Sequence, residues 1–176
     1  AGAAGADDAE IVILNSTIDL QGGRVFEGAG GKGGALVLSG GNYATLVEAE
    51  DGGSTGPISI INTHIFTGGG DSYNAAAGNG GSIEIATQGE AISIDASSSI
   101  NSQGGASLEA PAGIGNSEAG HGAIDAGDGG DITIVGDRNE ASPSGALILD
   151  APINSNGGDL LYTELISTAS DLRAGN

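Results

Sequence analysis

Three aspartates in a glycine-rich segment are the residues whose type and spacing best suit chemistry. Asp125, Asp128 and Asp131 lie within a few residues of one another, with glycines between them. Carboxylate oxygens are the ligands that hard cations such as Ca²⁺ prefer, and glycine lets a backbone bend around an ion. The spacing therefore makes these aspartates candidates for a calcium site, and Ca²⁺ is the one cofactor that the sequence suggests.

The segment that contains two of these aspartates, residues 127–132, is similar to the nonapeptide Gly-Gly-x-Gly-x-Asp-x-apolar-x of calcium-binding β-rolls. Such sites need consecutive nonapeptides, whereas this motif stands alone in the chain. Two corresponding segments carry Lys32 and Asn79 where this one carries Asp128. A solvated glycine corner is therefore the simpler interpretation, and calcium binding is the alternative.

The histidines do not form a catalytic pattern. His64 and His121 lie in different repeats of the chain, and Thr17 and Ser99 occupy the positions that correspond to His64. Enzymes that act on acidic sugars need basic residues or clustered carboxylates on one face, and this chain has only 4 lysines and arginines. The sequence therefore predicts no catalytic residue and a protein that is not an enzyme.

Aspartates and asparagines recur at two other positions of the repeats. Asp95 and Asp150 occupy one position, and Asn15 and Asn62 occupy another. Stacked Asp or Asn residues at a corner usually accept hydrogen bonds from nearby backbone groups. We therefore expect these residues to be structural and not an acid–base pair.

The composition excludes several classes of partner. The chain has 176 residues, of which 35 are glycine, no cysteine, and a formal net charge of −19. Nucleic acids and anionic membranes need a basic footprint on the protein, and no stretch approaches the roughly 18 apolar residues of a membrane span. Without cysteine, disulfides and thiolate metal sites are excluded. We expect no nucleic-acid partner and no membrane insertion.

Two phrases recur and alternate along the chain. The first is an alternating aliphatic run, a short polar step, one more aliphatic residue and a glycine pair. Its copies occupy residues 11–23, 58–69, 92–105 and 147–158. The second phrase is a glycine cluster followed by an alternating run, and its copies occupy residues 31–38, 78–85 and 127–134.

The repeats predict a single β-solenoid domain over residues 10–176, preceded by a small acidic segment at residues 1–9. The domain divides into the four unequal repeats 10–56, 57–90, 91–145 and 146–176. Unequal lengths indicate loops inserted between a fixed set of strands. The longest insertion runs from Gly105 to Gly130.

The local pattern predicts strands. In Ile58-Ser59-Ile60 the outer residues are apolar and the middle one is polar, as in a strand with one face buried. The glycine pairs follow such runs, where the chain needs either a positive φ or a close approach of backbones. Stacking these units gives an all-β solenoid of about eight coils, at roughly 20–25 residues per coil. A β-sandwich is the alternative.

The alternation of the two phrases, over about residues 10–159, resembles large secreted surface proteins of the filamentous haemagglutinin type. The resemblance implies a right-handed parallel β-helix, exported by two-partner secretion and used as an adhesin or fibrous surface layer. It also implies a location at the bacterial cell surface or in the extracellular matrix, and it implies no catalytic residue.

We therefore expect a secreted structural or adhesive segment of a bacterial surface fibre. A solenoid has two open edges, so the expected partners are other copies of the chain, stacked end to end into filaments, or flanking coils of a longer chain. The alternative is a calcium- or glycan-binding β-roll module of a large adhesin, with surface glycans as its partner.

Overall fold

The protein folds into short parallel strands. A computed structural model describes residues 10–26, 28–39, 56–73, 75–87, 90–108, 124–135, 146–161 and 172–173, and these residues contain no helix. The strands in chain order are β1 (Ile11–Leu14), β2 (Thr17–Asp19), β3 (Leu36–Ser39), β4 (Ile58–Ile61), β5 (His64–Phe66), β6 (Ser72–Tyr73), β7 (Ile83–Ala86), β8 (Ile92–Ile94), β9 (Ser99–Asn101), β10 (Ser107–Leu108), β11 (Ile124–Asp125), β12 (Ile132–Val135), β13 (Leu147–Leu149), β14 (Ile153–Asn154), β15 (Leu160–Leu161) and β16 (Leu172–Arg173). The prediction of an all-β chain is confirmed for the described residues.

Each sheet takes its strands from successive repeats, and all pairings between the described strands are parallel. We call these sheets ladders, in the orders β1-β4-β8-β13, β2-β5-β9-β14, β3-β7-β12, β6-β10-β15 and β11-β16. We call the part of the chain that contributes one strand to a ladder a level. The levels are residues 10–39, 56–87, 90–135 and 146–173.

The copies of the first phrase pair with one another. Ile11 pairs with Ile58, Ile58 with Ile92, and Ile92 with Leu147. The longest ladders hold four strands, so the expectation of about eight coils is wrong for the described residues. The estimated coil length was too short because a level holds three to five strands, joined by glycine segments.

Isoleucine side chains from three ladders fill one core. The fully buried members come from β4, β5, β7, β8 and β9, and each exposes at most 1 % of its surface. They are Ile58, Ile60, Ile65, Ile83, Ile85, Ile92, Ile94 and Ile100. Ser59 lies between two of them and faces outward, as the alternating pattern predicts. Each such burial contributes about 1.5–3 kcal/mol, so this core is a main source of stability.

Polar side chains stabilise the corner between the first two ladders. Asn15 and Asn62 have φ angles of 48° and 46°, which asparagine tolerates better than most residues. The Nδ2 of Asn62 donates to the Oδ1 of Asn15 at 2.8 Å. The carboxylate of Asp95 accepts hydrogen bonds from the Ser98 hydroxyl at 2.6 Å and from the backbone N–H of Asn62 at 3.1 Å. These bonds, that from Ser98 above all, lower the pKa of Asp95, and they show that the corner residues cap backbone groups.

Two sets of glycine segments lie back to back along the stack. The N–H of Gly78 donates to the carbonyl of Gly70 in the same level, at 2.9 Å. The N–H of Gly105 donates to Gly78 of the preceding level, and that of Gly127 donates to Gly105, both at 2.9 Å. We call this contact the glycine seam, formed by residues 21–23, 30–34, 68–70, 78–81, 103–105, 127–130 and 156–158.

Close approach of the two backbones is what requires glycine in the seam. A Cβ atom on Gly22, Gly69 or Gly104 would lie within 3.0 Å of backbone atoms of the opposite segment. Among the described glycines only Gly28 has a positive φ. Of the two reasons that the sequence allowed for the glycine pairs, backbone crowding is therefore the one that applies.

Small hydroxyl side chains complete the seam where it meets the core. The carbonyl of Gly81 accepts hydrogen bonds from the hydroxyls of Thr67, at 3.2 Å, and Ser102. In return the N–H of Gly81 donates to the carbonyl of Thr67 at 2.6 Å, and that of Gly130 donates to Ser102 at 2.7 Å. Both hydroxyl residues are fully buried, so the fold pairs their polar groups inside the protein.

Candidate ligand-binding groove

Two grooves flank the glycine seam, and glycines of the seam line both of them together with polar side chains. The first, which we call the amide groove, has a volume of about 290 Å³. It is lined by Gln21, Phe66, Gly68, Gly69, Asp71, Asn101, Gln103, Gly104, Ala106 and Asp159. The second, which we call the acidic groove, has a volume of about 440 Å³. It is lined by Lys32, Gly33, Ala35, Asn79, Gly80, Gly81, Ser82, Asp128, Gly129, Gly130 and Asp131.

The second ladder forms one wall of the amide groove. Phe66 pairs with Asn101, and Asn101 pairs with Asn154 in the next level. Paired residues of neighbouring strands lie about 4.8 Å apart, so the phenyl ring and the amide side chains form a row along the stack. This row presents an aromatic face beside groups that both donate and accept hydrogen bonds.

A repeated turn orients this row. The Oδ1 of Asn101 accepts a hydrogen bond from the N–H of Gln103 at 2.9 Å. In level 4 the Oδ1 of Asn154 accepts the same bond from the N–H of Asn156 at 3.0 Å. In level 1 the Oδ1 of Asp19 accepts it from the N–H of Gln21 at 3.1 Å. The Oδ1 atoms thus serve the fold, which leaves the amide nitrogen of Asn101 for a ligand.

Acidic residues form the opposite wall. Arg24 donates to the Oδ2 of Asp71 through Nε at 3.0 Å, and this bond raises the pKa of Arg24. The Oδ1 of Asp71 accepts from the N–H of Ala106 at 2.9 Å. Asp159 also lines the groove, and its residue is exposed. The groove therefore combines neutral amides with negative charge.

The structure separates the three calcium candidates. Asp128 and Asp131 are exposed and line the acidic groove. Asp125 lies in β11, partly buried, and its Oδ1 atom is buried without a hydrogen-bond partner. Within the described ranges, no three His, Asp or Glu side chains lie close enough together to hold a metal ion. Asp125, Asp128 and Asp131 are thus not gathered into one metal-binding group.

His64 lies on the surface, at the start of β5. It pairs in register with Thr17 and Ser99, and its Nδ1 lies 2.8 Å from the Ser99 hydroxyl. Its ring centroid is 6.3 Å from that of Phe66, so it borders the amide groove. His121 lies outside the described residues.

The sequence reading missed the amide groove. A signal for it was present, because three residues after Ile18, Ile100 and Ile153, which share one position of the first phrase, stand Gln21, Gln103 and Asn156. Level 2 carries Gly68 at this position, which interrupts the pattern in the sequence. In the structure the missing side chain leaves space for the groove.

Comparison with known proteins gives no relative: no family model, no curated protein and no solved structure matches this chain. In the part of the chain that the structure describes, no helix is long and apolar enough to cross a membrane. A functional proposal therefore depends on the geometry of the chain itself.

Proposed function

We propose that the chain is a secreted structural and adhesive segment of a bacterial surface fibre, folded as a right-handed parallel β-helix. The observation that carries this proposal is the pairing of all four copies of the first phrase along one axis. The glycine seam runs through the same four levels. A stack in which each level contacts mainly its neighbours can be long and stiff without a larger core.

The surface charge supports the same role. Asp19, Asp128, Asp131 and Asp150 are exposed, and the chain carries a net charge of −19. Exposed strand edges associate unless charge or another device prevents unintended pairing. Negative charge around the stack keeps such a rod soluble and prevents sideways aggregation.

Immunogold electron microscopy tests this proposal. Antibodies against the level 3 corner around Ala96 and Ser97, both exposed and away from the ends of the stack, are applied to intact and to permeabilised cells that produce the protein. We expect gold particles along fibres on the outside of intact cells, with an antibody against a cytoplasmic protein as the control. Label confined to permeabilised cells would overturn the proposed location.

A second function, glycan binding, is favoured by the amide groove. Sugar hydroxyls both donate and accept hydrogen bonds, as side-chain amides do, and the face of Phe66 suits the apolar face of a sugar ring. Because Asp159 adds negative charge to the groove while Arg24 offsets that of Asp71, the expected ligands are neutral or amino sugars and not uronic acids.

An array of neutral, amino and acidic oligosaccharides tests the groove. Phe66→Ala and Gln103→Ala should each weaken binding by about tenfold or more, because each removes a side chain that lines the groove. Val37→Ala is the matched control, since Val37 is an exposed residue of β3 that does not line the amide groove. Equal binding by all three variants, or a preference for acidic sugars, would contradict this function.

A further inference from the structure

The last level of the stack leaves its core-facing side chains exposed. Leu147, Leu149 and Ile153 expose 47 %, 38 % and 42 % of their surface. Their register partners in the preceding level are Ile92, Ile94 and Ile100, which expose at most 1 %. The inner residues are covered from both sides, so the last level presents a surface shaped to receive another level.

The first level presents a matching surface. Ile11, Ile13 and Ile18 occupy the same ladder positions as the exposed residues of the last level, and they are partly buried. The corner between the two ladders is longer in level 3 than in levels 2 and 4, yet these levels stack in register. A junction between levels 4 and 1 therefore requires no more adjustment than the chain already makes.

Charge is distributed unevenly between the two ends. Among the side chains that the structure describes, both those of lysine and arginine, Arg24 and Lys32, lie in level 1, together with the carboxylates of Glu10 and Asp19. The described charged side chains of level 4 are the carboxylates of Asp150 and Asp159, both in exposed residues. Level 1 therefore offers cations to a level 4 whose described charged side chains are all carboxylates.

One ladder position places a cation of level 1 and a carboxylate of level 4 in the same column of residues. Arg24, Asp71, Ala106 and Asp159 occupy equivalent positions in successive levels, since the residues that follow them pair in register. Within the chain, Arg24 donates to Asp71 of the next level, and its side chain is still 57 % exposed. A second copy stacked in the same register places its Arg24 directly after Asp159.

We propose that the chain stacks head to tail with a second copy, so that Asp159 of one copy pairs with Arg24 of the next. The apolar side chains of levels 4 and 1 pack against each other at this junction, and the ladders β1-β4-β8-β13 and β2-β5-β9-β14 continue across it. The inference rests on the proposed function as a fibre segment and names the partner for it: another copy of this chain.

Sedimentation velocity and negative-stain electron microscopy of the purified 176-residue chain test the junction. Salt of about 0.15 M limits the repulsion between copies to roughly 8 Å, so that charges at the junction dominate. We expect linear oligomers that lengthen with protein concentration. A chain that stays monomeric at all concentrations, or oligomers that pair side by side, would overturn the proposal.

Charge variants separate the junction from a general charge effect. Asp159→Lys should weaken association by about tenfold or more, whereas Asp150→Lys makes the same charge change in the same level and should have a small effect. Mixing the Asp159→Lys variant with the Arg24→Asp variant should restore both junctions of an alternating stack, because one junction has the reversed charge pair and the other keeps Asp159 and Arg24. Equal association by the two lysine variants, or no recovery of association on mixing, would contradict the pairing of Asp159 with Arg24. Circular dichroism checks that each variant is folded.

The two proposals fail in different ways. A chain that remains monomeric in solution but labels the outside of cells would refute the junction and leave the surface role intact. A chain that forms linear oligomers but labels only permeabilised cells would support the junction and refute the surface role.

Discussion

A methyl group added inside the glycine seam should destabilise the protein far more than one added beside it. In the Gly69→Ala variant, the new Cβ would lie within 3.0 Å of the Gly78 carbonyl and of Asn79. The two segments would have to move apart by roughly an ångström, since ordinary contact begins at 3.4 Å. A seam built from backbone atoms has no flexible side chain that could yield instead.

The cost follows from the hydrogen bonds that this separation breaks. Gly78 donates to Gly70 at 2.9 Å, and Gly81 donates to Thr67 at 2.6 Å. All four residues are buried, so each lost bond leaves unpaired polar groups at a cost of about 1–3 kcal/mol. The free energy of unfolding should therefore fall by roughly 2–6 kcal/mol, out of about 5–15 kcal/mol for a typical domain.

Gly23→Ala is the matched control, because Gly23 belongs to the same seam but its Cβ would meet nothing within 4 Å. This variant should change stability by less than about 1 kcal/mol, and the lower entropy of its unfolded chain favours a small gain. Urea unfolding followed by far-ultraviolet circular dichroism measures both. At a slope of about 2 kcal/mol/M, Gly69→Ala should lower the midpoint by about 1–3 M. Equal midpoints for the two variants would refute the crowding argument.

Three further predictions concern the core, the corner and calcium. Ile60→Ala should lower the free energy of unfolding, measured with urea, by about 2–5 kcal/mol, because Ile60 is buried in the core. Val12→Ala should lower it by about 1 kcal/mol or less, because Val12 is exposed, and similar losses for the two variants would contradict the assigned core. The hydrogen bond from Ser98 lowers the pKa of Asp95 below its ordinary 3.8, so its stabilisation is complete above that pH and disappears as pH falls through the lowered pKa. Asp95→Asn should therefore flatten the acid limb of the melting temperature against pH, and an unchanged limb would be the contrary result. EDTA should leave the melting temperature unchanged, because no three acidic side chains of the described residues lie close enough together to hold a metal ion, and a lower value in calorimetry would support the calcium alternative.

The sequence was informative wherever the structure depends on local alternation. Side chains of a strand alternate between faces, so Ile58 and Ile60 could be assigned to the core and Ser59 to the surface. The repeated phrase also indicated which strands are neighbours, since its copies begin with the residues that pair, as Ile58 and Ile92 do. Both inferences use information that lies within a few residues of the chain.

The sequence was less informative where distant backbones meet. Glycine serves equally for a turn and for close approach, and only the structure shows that Gly70 lies between Gly31 and Gly78. The amide groove depends on this contact, because its floor is the seam and its walls come from different ladders. Corner length also varies between levels, so the register of the second ladder does not follow from that of the first.

The glycine seam constrains how the gene can change. Every amino acid that a single base change can substitute for glycine carries a Cβ atom, so missense mutation at Gly69, Gly78 or Gly105 is disfavoured from the first step. Duplication of a whole level meets no such barrier, because strands of neighbouring levels already pair in register along the ladders. An in-frame duplication of one level adds strands that pair with those of the neighbouring levels. Inheritance can therefore alter the length of this protein more readily than its cross-section.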